Sequence, residues 1–177
     1  MSISNTFFRF ALAFSFFSFS LALLAEPTLE EVVVSARKVD ESVQDVPIAM
    51  SVFTSSDISD AGIERPEDFI ALTPNVVMAN TVNVGDTLVT IRGLTSTRDA
   101  ESNFAFVVDG VLQTNPNAFN RELLDIAQIE VLKGPQGALY GRNATSGAIL
   151  ITTKAPSEES ESTAVIGMGV NNASKLQ

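Results

Sequence analysis

The stretch LKGPQGALYGRNATSGAILITTK, residues 132–154, places four glycines ahead of a β-branched run. A phosphate loop of the form G-x-x-x-x-G-K-[ST] needs a glycine five residues after Gly134, where Leu139 stands. The stretch contains no G-x-G pair, and a nucleophile elbow would need glycine in place of Ala144. We therefore predict that these glycines shape the backbone, allowing tight turns and close approach between a strand, a helical turn and the next strand.

The composition of the 177-residue chain excludes several classes of protein. It lacks cysteine, histidine and tryptophan, which removes disulfide scaffolds, zinc fingers and histidine-dependent nucleophile systems. No constellation of acid, base and nucleophile emerges, so we predict no enzymatic activity, no metal site and no cofactor. The net charge of −10 argues against nucleic acid as a partner, because its phosphates would be repelled.

Residues 1–25 differ from the rest of the chain. A single basic residue, Arg9, precedes an unbroken run of apolar residues and serines that ends at Ala25. This is the pattern of a secretory signal peptide, with cleavage expected between Ala25 and Glu26. An uncleaved membrane anchor is the alternative, but the run is short for a span and Pro27 follows it closely.

Residues 26–46 form a polar, acidic tail that is interrupted by the triplet Val32, Val33 and Val34. A β-branched triplet in such a tail has two interpretations on composition alone. It is an edge strand or plain linker of this domain, or it adds as a strand to the sheet of another protein.

Residues 47–156 read as one α+β domain. We predict strands at 48–54, 88–92, 129–132 and 148–153, and a hairpin with a type I′ turn at Asp109-Gly110. Ser55 or Ser56 is predicted to cap a short helix that runs through 58–61 and ends at Gly62. A second helix is predicted with Pro66 in its first turn and a stop at 73–75, and a helical turn is predicted at 123–127. Phe69, Ile70 and Leu72 are the residues of the second helix that are expected to face inward.

Five motifs, in order along the chain, together resemble the N-terminal region of TonB-dependent outer-membrane receptors. LEEVVVSARK at 29–38 is similar to the TonB box, and the segment that begins VPIAMSVFT at 46–54 resembles the opening of the plug domain. IRGL at 91–94 and FVVDGV at 106–111 resemble its central strands, and IEVLKGPQGALYGRNATSGAILITTKAP at 129–156 resembles its C-terminal hallmark.

The resemblance implies a fold and a mechanism. The plug of this family is a small mixed β-sheet with short helices, lodged inside an outer-membrane barrel, and the periplasmic protein TonB grips the box to rearrange it. The residues expected to bind TonB are Leu29, Glu30, Glu31, Val32, Val33, Val34 and Ser35. We expect this segment to be extended, accessible and without a partner strand in its own chain, as strand addition requires.

The resemblance also implies charged contacts with the barrel. Arg92 matches the arginine of the family's IRG motif and is expected to pair with barrel carboxylates. Gln128 stands where a second basic residue is common, so Lys133 and Arg142 are candidates to replace it.

Ligand contacts in this family come from the apex loops of the plug and from barrel loops. The candidate apex segments are 79–87, 95–103 and 114–120, and the candidate contact residues are Asn83, Thr97, Arg98, Asn115 and Asn117. Plain solvated loops would have the same polar composition.

Residues 157–177 combine an acidic spacer with TAVIGMGVN, whose alternation fits one barrel strand. We expect a truncated receptor, whether a fragment, an incomplete gene model or a broken gene.

Two functions are therefore open. One is the plug of an outer-membrane transporter for a ferric siderophore, vitamin, sugar or similar ligand, which meets the membrane only through its barrel. The other is a stand-alone periplasmic domain that binds TonB without transport.

Overall fold

The computed structural model describes residues 31–80, 87–96, 101–115 and 118–156, together with the backbone of two short strands at 166–168 and 174–176. The predicted signal peptide lies outside these residues. The strands are β1 (Val33–Val34), β2 (Glu41–Ser42), β3 (Met50–Thr54), β4 (Val76–Asn80), β5 (Thr87–Ile91), β6 (Leu94–Thr95), β7 (Phe104–Val108), β8 (Val111–Gln113), β9 (Ile126–Lys133), β10 (Gly147–Thr153), β11 (Ile166–Met168) and β12 (Ser174–Leu176). The helices are α1 (Ser55–Ala61), α2 (Pro66–Ala71) and α3 (Gly137–Tyr140).

The main sheet has five strands in the order β3-β9-β10-β7-β8. Strand β9 pairs antiparallel with both β3 and β10, whereas β10 pairs parallel with β7, so the sheet is mixed. Strands β4, β5 and β6 form a separate three-stranded antiparallel sheet. The predicted small mixed sheet with short helices is confirmed.

Alternation of side chains divides the core between the two faces of the main sheet. On one face, Ile129 and Val131 of β9 join a large cluster that includes Phe69 of α2 and residues of β4 and β5. On the other face, Leu132 joins a smaller cluster with Tyr140 of α3. Both faces are therefore covered, which explains why β7 and β10 read as almost continuous apolar runs.

The helix boundaries follow the predicted signals with two corrections. The N-cap of α1 is Thr54 rather than Ser55 or Ser56, because the Thr54 hydroxyl accepts from the Asp57 N–H while the Asp57 carboxylate accepts from the Thr54 N–H. Gly62 ends α1 in the left-handed conformation, as predicted. Leu72 is exposed, since α2 ends at Ala71 and Leu72 is its C-cap rather than part of its buried face.

The hairpin at Asp109-Gly110 is confirmed. Both residues have positive φ, at 47° and 78°, as a type I′ turn requires, and Val108 pairs with Val111 across it. The Asp109 carboxylate accepts from the backbone N–H and the hydroxyl of Thr153, which ties the turn to the end of β10.

The predicted helical turn at 123–127 is wrong. Strand β9 begins at Ile126, and the backbone before it is held by tertiary hydrogen bonds instead of helical ones. Leu123 N–H donates to the Glu64 carbonyl, and Lys154 N–H donates to the carbonyl of Asp125, whose φ is 51°. These partners are distant in sequence, so local pattern could not indicate them.

The glycine-rich stretch is a structural connection between β9 and β10, as predicted. Gly134 and Gly141 have positive φ, at 119° and 83°, and they flank α3. Gly147 begins β10 so close to β9 that a Cβ atom built on it would lie 2.2 Å from the Leu132 carbonyl oxygen. Only a residue without a side chain fits there.

The nine-residue strand predicted at 163–171 is only partly described. Ile166–Met168 forms β11 and pairs antiparallel with Ser174–Leu176, a partner that the sequence did not indicate. The other residues of the predicted strand lie outside the described part of the chain.

A matched pair of glycine substitutions tests this geometry. Gly147→Ala should lower the free energy of unfolding by about 3 kcal/mol or more, because the added methyl group forces β9 and β10 apart. Gly137→Ala has open space around it and should leave stability unchanged or raise it by up to about 1 kcal/mol. Denaturant unfolding of the purified chain measures both, and equal effects would contradict the close approach at Gly147.

Candidate functional site

The N-terminal segment that resembles a TonB box pairs with its own chain. Val33 lies opposite Ser42 and Val34 lies opposite Glu41, and the Val43 N–H donates to the Val32 carbonyl at 3.0 Å. The expectation that the segment has no internal partner is therefore wrong for the residues from Val32 onward. The chain reverses after Ser35, whose carbonyl accepts from Lys38 N–H, and polar β2 carries no apolar signature that would have revealed it.

The opposite edge of β1 contacts side chains of β9. The Gln128 side-chain amide donates to the Val33 carbonyl at 2.9 Å. The Glu130 carboxylate accepts from the Ser35 N–H at 3.0 Å and from the Ser35 hydroxyl at 3.2 Å, both through Oε1. The two side chains lie on the same face of β9, two residues apart, and they meet backbone groups two residues apart on the N-terminal segment.

Tyr140 holds the next residue of the segment. Its hydroxyl donates to the Ala36 carbonyl at 2.8 Å, and its ring lies under the ammonium group of Lys38 at 5.7 Å. Val34 and Ala36 are buried, whereas Val33 is half exposed. The segment is therefore extended and docked rather than free.

The buried carboxylate of Glu130 is the main electrostatic feature of this site. Glu130 is only 2% exposed, and within the described residues its Oε2 has no hydrogen-bond partner. Burial raises the pKa of this carboxyl above its ordinary value, although the hydrogen bonds from Ser35 act in the opposite direction. Burial and the nearby Glu130 also raise the pKa of the Tyr140 hydroxyl to about 12.

The sequence did not indicate Glu130 or Tyr140 as site residues, and it indicated Gln128 only as a departure from the family. A signal for Glu130 was present, because an acid between β-branched residues of a buried strand needs a polar partner. The identity of that partner was not readable, since Ser35 is 95 residues away in sequence.

The three cations proposed to face a barrel separate into two places. Arg92 lies in the turn between β5 and β6, near Lys133. Burial, and to a lesser extent the nearby Arg92, lowers the pKa of the Lys133 ammonium group. Lys133 donates to the Ser51 hydroxyl. Arg142 lies elsewhere and forms an exposed ion pair with Glu101 at 3.0 Å. Within the described residues, Arg92 forms no ion pair.

Most of the proposed ligand-contact residues lie outside the described part of the chain. Asn83, Thr97, Arg98 and Asn117 fall there, as do Leu29 and Glu30 of the TonB-binding segment. Asn115 is exposed and its carbonyl accepts from Ala118 N–H. Across the residues that the structure describes, no group of three or more His, Cys, Asp or Glu could hold a metal ion. None of the helices in this part of the chain has both the length and the hydrophobicity of a membrane span.

Comparison with known proteins identifies the family. Residues 42–148 match the family model of the TonB-dependent receptor plug domain. The chain belongs to this family. Its plug is 31% identical over 132 residues to the pesticin receptor of Yersinia enterocolitica, covering 74% of this chain and 19% of that receptor. It is 30% identical over 151 residues to the vitamin B12 transporter BtuB of Vibrio vulnificus, covering 82% of this chain and 24% of the transporter.

Solved structures agree with this assignment. The plug matches the ferric yersiniabactin uptake receptor FyuA from Yersinia pestis with a TM-score of 0.58 and 30% identity, over 67% of this chain and 18% of that one. The ferripyoverdine receptor of the outer membrane of Pseudomonas aeruginosa shares the fold, with a TM-score of 0.59 at 21% identity, over 72% of this chain and 17% of that one. The chain thus spans about a fifth of the length of these relatives, which are receptors and transporters rather than enzymes.

The buried carboxylate gives the plug a pH dependence with a defined sign. Because the folded pKa of Glu130 is raised, its contribution to stability is greatest below its ordinary value of 4.5 and is lost as the pH rises through the folded pKa. Glu130→Gln should therefore gain stability relative to the parent chain as the pH rises from 4.5. The carboxylate of Asp40 also raises the pKa of Glu130.

Asp57 supplies a control of opposite sign. The hydrogen bonds from Thr54 lower the pKa of Asp57, so Asp57→Asn should lose stability relative to the parent above pH 3.8 and approach it at lower pH. Denaturant unfolding at a series of pH values measures both variants. A difference between Glu130→Gln and the parent that does not change with pH would contradict the raised pKa of the buried Glu130 carboxyl.

Proposed function

We propose that this plug gates energised uptake through an outer-membrane receptor, and that residues 29–35 are the segment that TonB binds. The ligand class that fits the relatives is a ferric siderophore, a vitamin or a similar small molecule, since the matched proteins include a ferric yersiniabactin uptake receptor and a vitamin B12 transporter. The barrel of the same receptor would surround the plug and provide its contact with the outer membrane.

One observation carries the TonB-binding part of this proposal. Val33 and Val34 already adopt the extended conformation that strand addition requires, and their own partner strand is only two residues long. A pair of such short strands is marginal by itself in water, so β2 is the partner that another strand can replace at low cost. The Val33 side chain, half exposed, is accessible to a second protein.

A second observation supports a charged contact with the barrel. Arg92 has φ of 50° in the turn between β5 and β6, and a terminal nitrogen of its guanidinium group lies beside Gly134, near Lys133. Two cations that lie near each other repel, and acidic groups of a surrounding wall would relieve that repulsion. Arg142 already has Glu101 as a partner, which makes it the weaker candidate.

Substitution of Val33 tests the TonB-binding role. In a receptor that carries this plug, Val33→Pro should abolish energised uptake, because proline removes the backbone donor and restricts φ. Val33→Ile should support uptake within about twofold of the parent, because isoleucine keeps the β preference. Uptake of labelled ligand and pull-down of the periplasmic part of TonB measure the two variants, and ligand binding at the cell surface should be equal in both.

A Val33→Pro receptor that captures TonB and transports as well as the parent would mean that the segment is only a linker. Loss of both ligand binding and uptake would instead mean that Val33 is needed for the stability of the plug.

Removal of Arg92 tests the contact with the barrel. Arg92→Ala should raise the protease sensitivity of the plug within an assembled receptor without preventing insertion, because a paired barrel carboxylate would lose its partner. Arg142→Ala removes a cation that is already paired within the plug and should leave protease sensitivity unchanged. Limited proteolysis of purified receptors compares them, and identical digestion of the Arg92 variant and the parent would remove the grounds for this role.

A further inference from the structure

A cavity of about 330 Å³ lies between the main sheet and the segment that connects β8 to β9. Its floor belongs to the edge of the large core and is formed by Phe106, Val108, Ile126 and Ile151. The connecting segment supplies the opposite wall, which consists of Ala118, Arg121, Glu122, Leu123 and Leu124. This volume lies at the lower end of the range found for small-molecule sites in proteins.

The connecting segment is anchored to the rest of the plug. The ring of Phe119 is buried and packs edge-on against Phe106, with 5.0 Å between the ring centroids. The Leu123 N–H donates to the Glu64 carbonyl at 2.8 Å. The wall of the cavity is therefore held in place by contacts on both sides of Arg121.

The charged groups that line this cavity are unequally paired. The Glu122 carboxylate already contacts the guanidinium group of Arg65 at 3.3 Å. Arg121 is exposed and, within the described residues, forms no salt bridge. The cavity therefore presents one positive charge that lacks a carboxylate partner, in a chain whose net charge is −10.

The uncharged polar groups of the lining already have partners. The Thr153 N–H and hydroxyl both donate to the Asp109 carboxylate, at 2.8 Å and 2.9 Å. The side-chain amide of Gln113 donates to the Val111 carbonyl at 3.3 Å. A molecule in the cavity would therefore find an apolar floor and one cation, rather than a set of hydrogen-bonding groups.

Two exposed apolar side chains extend this surface beyond the cavity itself. Leu124 lines the cavity and is 64% exposed. Val111 is 61% exposed and lies opposite Val108 across the hairpin, so its side chain shares the face of the sheet that forms the floor. An apolar body that entered between them would remove both from water.

We propose that this cavity binds a small monocarboxylate with an apolar body, such as a medium-chain fatty acid. The carboxylate pairs with the Arg121 guanidinium group, whose planar donors match a carboxylate. The apolar body lies between the sheet and Leu124, and so joins the connecting segment to β7 and β10. This site goes beyond the proposed function, because it needs neither TonB nor a barrel.

Three probes with the same alkyl chain test the choice of charge. Octanoate, 1-octanol and octylamine differ only in the head group, so their dissociation constants for the purified full chain separate charge from apolar contact. Octanoate should bind about fivefold more tightly than octanol, as one ion pair at an exposed cation allows, and octylamine should bind most weakly. Equal affinity for all three would mean adventitious apolar binding only and would overturn the proposal.

Substitution of Arg121 tests which cation selects the carboxylate. Arg121→Gln should weaken octanoate about fivefold and leave octanol unchanged, whereas Arg121→Glu should bind octylamine more tightly than octanoate. Arg142→Gln is the matched control, because it removes an exposed cation that pairs with Glu101 away from this cavity. An Arg121→Gln chain that binds octanoate as tightly as the Arg142→Gln chain would contradict the site.

Replacement of Leu124 tests the apolar part of the site. Leu124→Ala should weaken octanoate and octanol by the same factor, about threefold, because both lose the same apolar contact. Leu124 and Arg121 are both exposed, so the substitutions leave the core in place, and an unchanged methyl NMR spectrum of the free chain verifies this. Unequal losses for octanoate and octanol would place the alkyl chain elsewhere.

Methyl NMR shows where octanoate binds. The methyl signals of Val108, Leu123 and Ile126 should shift on titration, because these residues line the proposed site. A larger cavity of about 610 Å³, on the face of the small apolar cluster, is lined by Leu112 and Leu150 and by both Lys38 and Asp40, so its charges favour neither sign. Shifts confined to Leu112 and Leu150 would assign octanoate to that cavity and overturn the proposal.

Discussion

The alternation of side chains along β9 is the constraint on which the rest of this plug depends. Strand β9 pairs on both sides, with β3 and β10, so its backbone is fixed and only its two faces remain available. Ile129 and Val131 face the large core, whereas Gln128 and Glu130 face the N-terminal segment. A shift of register by one residue would exchange the two sets, burying the polar pair in the core and leaving the segment against apolar side chains.

The connection from β9 to β10 links this constraint to the N-terminal segment. Gly147 lets β10 approach the Leu132 carbonyl. Gly134 and Gly141, which both have positive φ, form the turns on either side of the short helix α3 between the two strands. That helix carries Tyr140, whose hydroxyl reaches the Ala36 carbonyl 104 residues earlier in the sequence. The glycines therefore serve the segment indirectly, by placing a tyrosine beneath it.

The segment is held by contacts that are individually modest. Its pairing with β2 extends over two residues on each strand, and a hairpin of that size is not stable by itself. The hydrogen bonds to β9 and Tyr140 add stability, while the buried carboxylate of Glu130 opposes it by its desolvation. A segment with few contacts, whose hydrogen bonds are partly offset by the desolvation of a buried carboxylate, opens at a lower free energy than the core. This property suits a segment that exchanges partners.

The sequence by itself determined the fold class, the hairpin at Asp109-Gly110, the boundaries set by Gly62 and Pro66, and the family, because each depends on local chemistry or on motif order. The helical turn that the sequence predicted at residues 123–127 is absent, because hydrogen bonds to distant residues hold the backbone there instead. The sequence also did not indicate the partners of the N-terminal segment. The polar strand β2 has no hydrophobic pattern, and Gln128, Glu130 and Tyr140 lie about 95 to 104 residues from the backbone groups that they bind. Only the tertiary structure decided these contacts, because the mixed sheet and the glycine connection bring chain positions together that no local preference relates.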